Sequence, residues 1–357
     1  MTGPEAPSGA PSHVLVTGAA GFLGTALVPH LLRTGRYRIT ALDRRPAAPA
    51  ASPPEVRAVQ GDIRDARLVR EVLEGVDAVV HCAAALPSHG TAEIRSVDVE
   101  GTGTLLEAAR RRGTPRFVHL SSTAVYGLPE VTPTPESHPR HAVDPYNTAK
   151  IAAERLCERY REGGMCVPVL RPKTFIGPGR LGVFALLFDW ALDGRGFPVL
   201  GRTPHRNQML EVSDLCAAVL ASLERPVALV DRAFNIGAAE YGTFRDDCQA
   251  VLDSAGHGKR VVTLPAAPAA AALGGLSALR LSPVYPRLVH KLLRDSCVDI
   301  TEAAGALAFS PAHSSTDALL RSFDWYAAHR HRIGSANGRT HAERWREGAL
   351  RLAKSFF

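Results

Sequence analysis

Short strand-like runs rich in Val, Leu, Ile and Ala alternate with stretches of helical spacing through the first half of the chain. The runs fall at 13–17, 37–42, 56–60, 76–81 and 117–120, and each is closed by small or polar residues. Between them, as at 25–32, apolar residues recur every three or four positions. Short strands separated by helices predict a doubly wound parallel sheet in an α/β fold, covered on both faces. In such sheets ligands sit beyond the C-terminal ends of the strands. The residues that close each run are therefore where chemistry is expected.

The first run leads into Gly18-Ala19-Ala20-Gly21-Phe22-Leu23-Gly24 and then into a helix. Strand, glycine turn and helix in that order are the context in which a glycine motif binds a dinucleotide. Gly18 allows the tight turn. Gly21 lets backbone approach a pyrophosphate at the helix N-terminus beside Phe22 and Leu23, and Gly24 allows close helix–strand packing. The second run ends at Asp43, 19 residues past Gly24. An acid there holds the adenosine ribose hydroxyls and disfavours a 2′-phosphate, so NAD leads. Arg44 and Arg45 follow at once and keep NADP as the second choice. Asp62 and Ile63, after the third run, suit the flank of an adenine. The small residues Cys82, Ala83 and Ala84, after the fourth, leave room for a cofactor over the sheet edge. The fifth run delivers Ser121, Ser122 and Thr123.

Tyr146 and Lys150 lie in Asp144-Pro145-Tyr146-Asn147-Thr148-Ala149-Lys150. On a helix they share a face, one turn apart. A free phenol ionises near pH 10, too high for a base at neutral pH. A cation about 4 Å away is worth roughly 4 kcal/mol at an effective dielectric of 20, which predicts a phenol lowered toward neutrality. Alone the spacing carries little, because it is common on helix surfaces.

Composition narrows the class. The 357 residues carry 42 Lys and Arg against 35 Asp and Glu, a net charge of +7. The cations are nearly all arginine and are spread along the chain. No basic run carries interleaved aromatics, so no nucleic-acid partner is expected. No stretch of about 18 apolar residues occurs, which predicts no membrane span. Residues 1–12 read as a disordered lead-in rather than a signal peptide. The six cysteines show no metal-ligand spacing. No metal site is therefore expected, and a reduced, cytoplasmic setting fits.

Together these segments resemble the extended short-chain dehydrogenase/reductase superfamily, in its NAD-dependent epimerase/dehydratase branch. The matching motifs are the glycine turn, Gly61-Asp62-Ile63, His81-Cys82-Ala83-Ala84, Ser121 through Gly127, and Tyr146 with Lys150. Arg171-Pro172 with Gly177-Pro178-Gly179, and Val212-Ser213-Asp214-Leu215, extend the match, which covers about residues 13–328. The resemblance implies a Rossmann-type sheet, a smaller mixed α/β C-terminal substrate lobe, and a homodimer. It implies that Tyr146 is the general base or acid, that Lys150 lowers its pKa and binds the nicotinamide ribose, and that Ser122 hydrogen-bonds the reacting oxygen. Thr123 ranks behind Ser122. Pro172 joins the cofactor contacts. Thr123, Asn147, Thr174, Arg180 and Arg206 are expected toward substrate.

Two departures bear on the reaction. Dehydratases of this family resemble one another in an Asp-Glu pair directly after the catalytic hydroxyl residue, where this chain has Thr123 and Ala124. Nucleotide-sugar members often carry Asn where Thr174 stands and Arg where Asn207 stands, with Arg206 one residue off. Arg180, Arg202 and Arg206 are then the candidate anion holders. The leading reading is an NAD-dependent epimerase or oxidoreductase of a secondary alcohol on a sugar, nucleotide-linked. The second is an NAD(P)-dependent reductase or dehydrogenase of a non-sugar, steroid-like or natural-product alcohol. The third is a non-catalytic NAD(P)-binding protein. The dinucleotide domain is expected over 13–172 with about 211–237, the substrate lobe over 173–210 and 238–330, and a basic tail over 331–357.

Overall fold

The computed structural model describes residues 12–45, 53–201, 205–278, 293–333 and 354. Its strands are β1 (His13–Thr17), β2 (Arg38–Asp43), β3 (Val56–Gln60), β4 (Ala78–His81), β5 (Arg116–Leu120) and β6 (Val169–Pro172). β7 (Thr174–Ile176), β8 (Phe197–Leu200) and β9 (Met209–Glu211) precede β10 (Ala233–Ile236), and β11 (Val261–Leu264) comes last. Seven strands form one parallel sheet in the order β3-β2-β1-β4-β5-β6-β10. The chain steps outward from β1 to β3, then returns to β4 on the other side of β1. That reversal opens a crevice at the C-terminal edge between β1 and β4. Thr17 pairs with both Leu42 and His81, so Gly18, Asp43 and Cys82 emerge along one edge. β2 runs one residue beyond the expected strand because Asp43 still pairs with Gln60.

Alternation along β1 feeds two cores. Val14 and Val16 point to one face, with Leu23, Leu27 and Leu31 of α1 (Phe22–Leu32). Leu15 points to the other, with Val69 of α2 (Ala66–Val72). A single helical stretch then comprises α3 (Thr91–Arg95), a π-turn at Ser96–Gly101, and α4 (Thr102–Arg112). Leu105 and Leu106 of α4 join the second core, as do Ala149 and Cys157 of α5 (Pro145–Glu162). Asp144 starts α5 by accepting the Asn147 N–H at 2.8 Å, and Pro145 takes the first helical position, where a missing N–H costs nothing.

The remaining helices are α6 (Phe184–Leu192), α7 (Val212–Glu224), α8 (Val227–Val230), α9 (Phe244–Ser254), α10 (Ala266–Ala278), α11 (Thr301–Leu307) and α12 (Ser315–His329). α7 and α11 complete the first core through Leu215, Val219 and Leu307. A third core joins Phe188 of α6, Val251 of α9, and Phe323 and Tyr326 of α12. Two-stranded pairs β7–β9 and β8–β11 accompany it. No described helix is long and apolar enough to cross a membrane. Arg202, residues 1–11 and all of the basic tail beyond 333 except Lys354 lie outside the described residues.

Candidate active site

The glycine turn packs directly on the end of β4. A Cβ on Gly18, whose φ is +69°, would meet Ala83 N at 2.7 Å. One on Gly24 would meet Gly18 O at 2.4 Å. Gly21 caps α1 without a side-chain acceptor, so the helix presents its first-turn N–H groups, including those of Phe22 and Leu23, to the crevice. Asp43 holds the turn from β2: it accepts the Ala20 N–H at 3.0 Å and the Arg45 N–H at 2.9 Å. Asp62 is bound by Arg64, and the buried Ile63 packs where Gly101 leaves space. Cys82 and Ala83 line the same edge, half-buried, and Ala84 is exposed there. Helix N-terminus, acid at the β2 tip and small residues at β4 fit a dinucleotide laid across this edge.

Ser122 follows β5 and caps a short 3-10 turn, Thr123–Tyr126, accepting the Ala124 N–H at 3.1 Å. Its hydroxyl lies close enough to Tyr146 to pull the phenol pKa down. Lys150 lies beneath, its Nζ 5.8 Å from the Tyr146 ring centre and 3.3 Å from the Leu120 carbonyl. The three residues expected to act together are thus gathered at the end of β5. The electrostatics differ from the local expectation. Burial raises the Tyr146 phenol above its ordinary value; Lys150, Ser122 and Arg180 pull it down, and Asp98 pushes it up. The lysine's lowering effect is present, but burial outweighs it.

Asp98 escaped the motif reading. It lies on the π-turn, is 1% exposed, and places Oδ1 3.1 Å from Lys150 Nζ while Oδ2 accepts the Ala85 N–H at 3.1 Å. A π-turn carries one extra residue per turn and commonly marks functional sites. Burial works against the Lys150 cation, but Asp98 and Tyr146 together hold its pKa above the ordinary value. His119, pushed down to about 3 by burial and by Lys150, adds no charge here. Only the acid three residues past Arg95 in a helical stretch could have drawn notice, and many surface acids share that setting.

The expected substrate contacts scatter. Thr123 donates its hydroxyl to the Pro172 carbonyl at 3.3 Å, tying the β5 and β6 ends together. Asn147 is fully buried and donates to the Ala124 carbonyl. It braces the turn behind Ser122. Arg206 is bound to Asp295 at 2.8 Å on the surface, so that guanidinium already has its anion. Arg44 is likewise paired with Glu93 at 3.0 Å, and Arg45 with Asp43 and the Ala20 carbonyl. Thr174 starts β7, half-buried. Arg180, 9% exposed, lies against Phe22 and Phe175. Behind the site, Glu154 binds Arg171 at 2.7 and 2.9 Å and the Ser121 hydroxyl at 2.5 Å, bracing the neighbour of Ser122.

Known proteins are similar to this chain in sequence and fold. The model of the NAD dependent epimerase/dehydratase family matches residues 14–237. An uncharacterized protein, y4nG, of Sinorhizobium fredii is 37% identical over 92% of this chain and 82% of its own length. A dTDP-glucose 4,6-dehydratase of Streptomyces antibioticus is 33% identical over 89% of this chain and 93% of its own. The crystal structure of DesIV, a dTDP-glucose 4,6-dehydratase of Streptomyces venezuelae with NAD and TYD bound, superposes with a TM-score of 0.72 at 29% identity. That match covers 89% of this chain and 98% of DesIV.

Proposed function

Since the chain belongs to the NAD dependent epimerase/dehydratase family, we propose that it oxidises a secondary alcohol on a nucleotide-linked sugar and, in epimerisation, reduces it again. The observation that carries this reading is Lys150 Nζ 5.8 Å from the Tyr146 ring centre, with Ser122 beside them after β5, at the strand ends that also carry the glycine turn. Ser122 holds the carbinol oxygen. Tyr146 accepts the hydroxyl proton at its phenol oxygen once that oxygen is ionised; burial opposes the ionised form, and Lys150 and Ser122 favour it. Bound NAD supplies the acceptor for the carbinol hydride and the donor for its return. NAD is favoured over NADP because Arg44 and Arg45, the cations beside Asp43, are already paired. Elimination of water would need an acid and a base after Ser122. Thr123 is turned to the Pro172 carbonyl, and Ala124 has no acid to offer. A homodimer completes the reading.

Tyr146→Phe tests the mechanism. Turnover should vanish while NAD binding survives; a variant with normal activity sinks it. A second reading, a non-sugar alcohol as substrate, draws on Arg206 being locked to Asp295 rather than open to a diphosphate. Thermal-shift screening against UDP-, GDP- and dTDP-sugars separates the two: stabilisation supports the sugar, uniform silence the other alcohol. Co-purified NAD in denatured protein would favour epimerisation, and an empty site net redox chemistry.

A further inference from the structure

The charges around Tyr146 do not cancel. Lys150 has Asp98 at 3.1 Å. Arg180, on the loop between β7 and α6, makes no side-chain hydrogen bond or ion pair among the described residues, although it is only 9% exposed. Its guanidinium carbon is 5.2 Å from the ring centres of both Phe22 and Phe175, which stack on each other at 5.7 Å. The rings cover one side of the cation and offer it no acceptor. Burial pushes its pKa down to about 10, which still leaves it protonated at neutral pH, and the sole charge effect opposing this comes from Tyr146. A cation nine-tenths buried with no anion beside it is held at a cost in free energy. Folding tolerates such a cost where a ligand is to remove it.

We propose that Arg180 is a substrate-binding residue that selects an anionic oxygen group, a carboxylate or a phosphate, standing beside the carbinol that Tyr146 serves. The inference rests on the proposed function only in taking Tyr146 as the reacting group. The cofactor's pyrophosphate is the competing anion. The first-turn N–H groups of α1 would hold it, and Arg180 meets α1 through the Phe22 ring. Phe22, against which the guanidinium lies, opens α1 directly after the glycine turn, and Arg180 and Tyr146 each shift the other's titration, so the guanidinium borders the crevice on the Tyr146 side. A planar fork of donors grips a carboxylate or phosphate with two parallel bonds, whereas a neutral sugar leaves the cation unmatched.

The test is calorimetric binding of three probes to NAD-loaded protein: D-glucose, D-glucuronate and D-glucose 1-phosphate. At least one anionic probe should bind more tightly than glucose by about tenfold or more, the size of one charge-assisted hydrogen bond. The winning probe says whether the source is a sugar carboxylate or a phosphate. Arg180→Gln should erase the preference and leave NAD affinity within about twofold, a few tenths of a kcal/mol. Equal binding of all three probes by the wild type, or a preference that survives Arg180→Gln, overturns the proposal. So does a loss confined to NAD, which would assign the guanidinium to the cofactor. If Arg180→Gln does not fold, phenylglyoxal labelling of Arg180 in the wild type replaces it. Protection by an anionic probe but not by glucose supports the proposal, and equal labelling overturns it. Tyr146→Phe should keep the anion preference. Full turnover in that variant would remove the proposed mechanism and leave the Arg180 result to stand or fall alone.

Discussion

Replacing Asp98 by Asn removes one buried charge and keeps the shape of the side chain. Asn can still accept the Ala85 N–H that Asp98 accepts at 3.1 Å. What disappears is the carboxylate 3.1 Å from Lys150 Nζ. At an effective dielectric of 20, unit charges about 3 Å apart attract by roughly 5 kcal/mol, a gross figure that desolvation cuts down. The effect on Tyr146 is longer in range. The 5.8 Å from Nζ to the ring centre and the 3.1 Å from Nζ to Oδ1 cap the Oδ1-to-ring separation at about 9 Å. Over about 9 Å the same dielectric leaves roughly 2 kcal/mol, a little more than one pH unit. The Tyr146 phenol is held high by burial first, with Asp98 adding to it. Asp98→Asn should therefore bring its titration down by about one pH unit, and Lys150→Met should drive it up. Protein labelled with 13C at the tyrosine ring carbon bearing the hydroxyl reports this directly by NMR. The Tyr146 signal, one of seven tyrosines, is identified by its loss in Tyr146→Phe. Stability carries the same sign. A phenol raised in the folded state contributes in full below its unfolded pKa of about 10, and the contribution is lost as pH rises through the folded value. Asp98→Asn should shrink that alkaline loss. A Tyr146 titration that stays in place or moves up in Asp98→Asn would show that the phenol does not feel this charge, and the electrostatic account of the site would fail.

Other perturbations follow from single contacts. Gly24→Ala would set a methyl 2.4 Å from Gly18 O and 2.5 Å from Ala19 Cα. Backbone cannot yield cheaply there, so about 1–3 kcal/mol of stability and most NAD affinity should go, as read by thermal unfolding and calorimetry. Asp43→Asn removes the acid and leaves Arg45 without its partner. NAD should weaken about tenfold while NADP gains, so the ratio of the two dissociation constants is the readout, and an unchanged ratio contradicts the role given to Asp43. Glu154→Gln strands Arg171, which Glu154 binds at 2.7 Å in the interior. A loss of about 3–5 kcal/mol is expected in denaturant unfolding. Burial opposes the Glu154 carboxylate, but Arg171 outweighs it and holds its pKa below the ordinary value. Its stabilisation is thus present above the unfolded pKa of about 4.3 and lost as pH falls through the folded value, a decline that Glu154→Gln should flatten.

The sequence by itself determined whatever depends on short spacing. The strand-like runs carry their own period, and five of them mark β1 to β5. The glycines at 18, 21 and 24 read as a turn because strand and helix adjoin them. Tyr146 and Lys150 share a helix face whatever surrounds them, and Asp144-Pro145 starts that helix from local rules alone. Tertiary structure decided how the charges are matched. Asp98 reaches Lys150 because a π-turn swings it inward from another helix. Arg206 and Arg180 look alike along the chain, yet one meets Asp295 at 2.8 Å and the other, among the described residues, lies against the Phe22 and Phe175 rings with no anion paired to it. Asn147 sits beside Tyr146 in sequence and is buried against the Ala124 turn. The sign of the Tyr146 shift belongs here as well. Local spacing contains the lysine. Burial and the opposing carboxylate are sums over everything within several ångströms, and they exist only once distant segments have packed together.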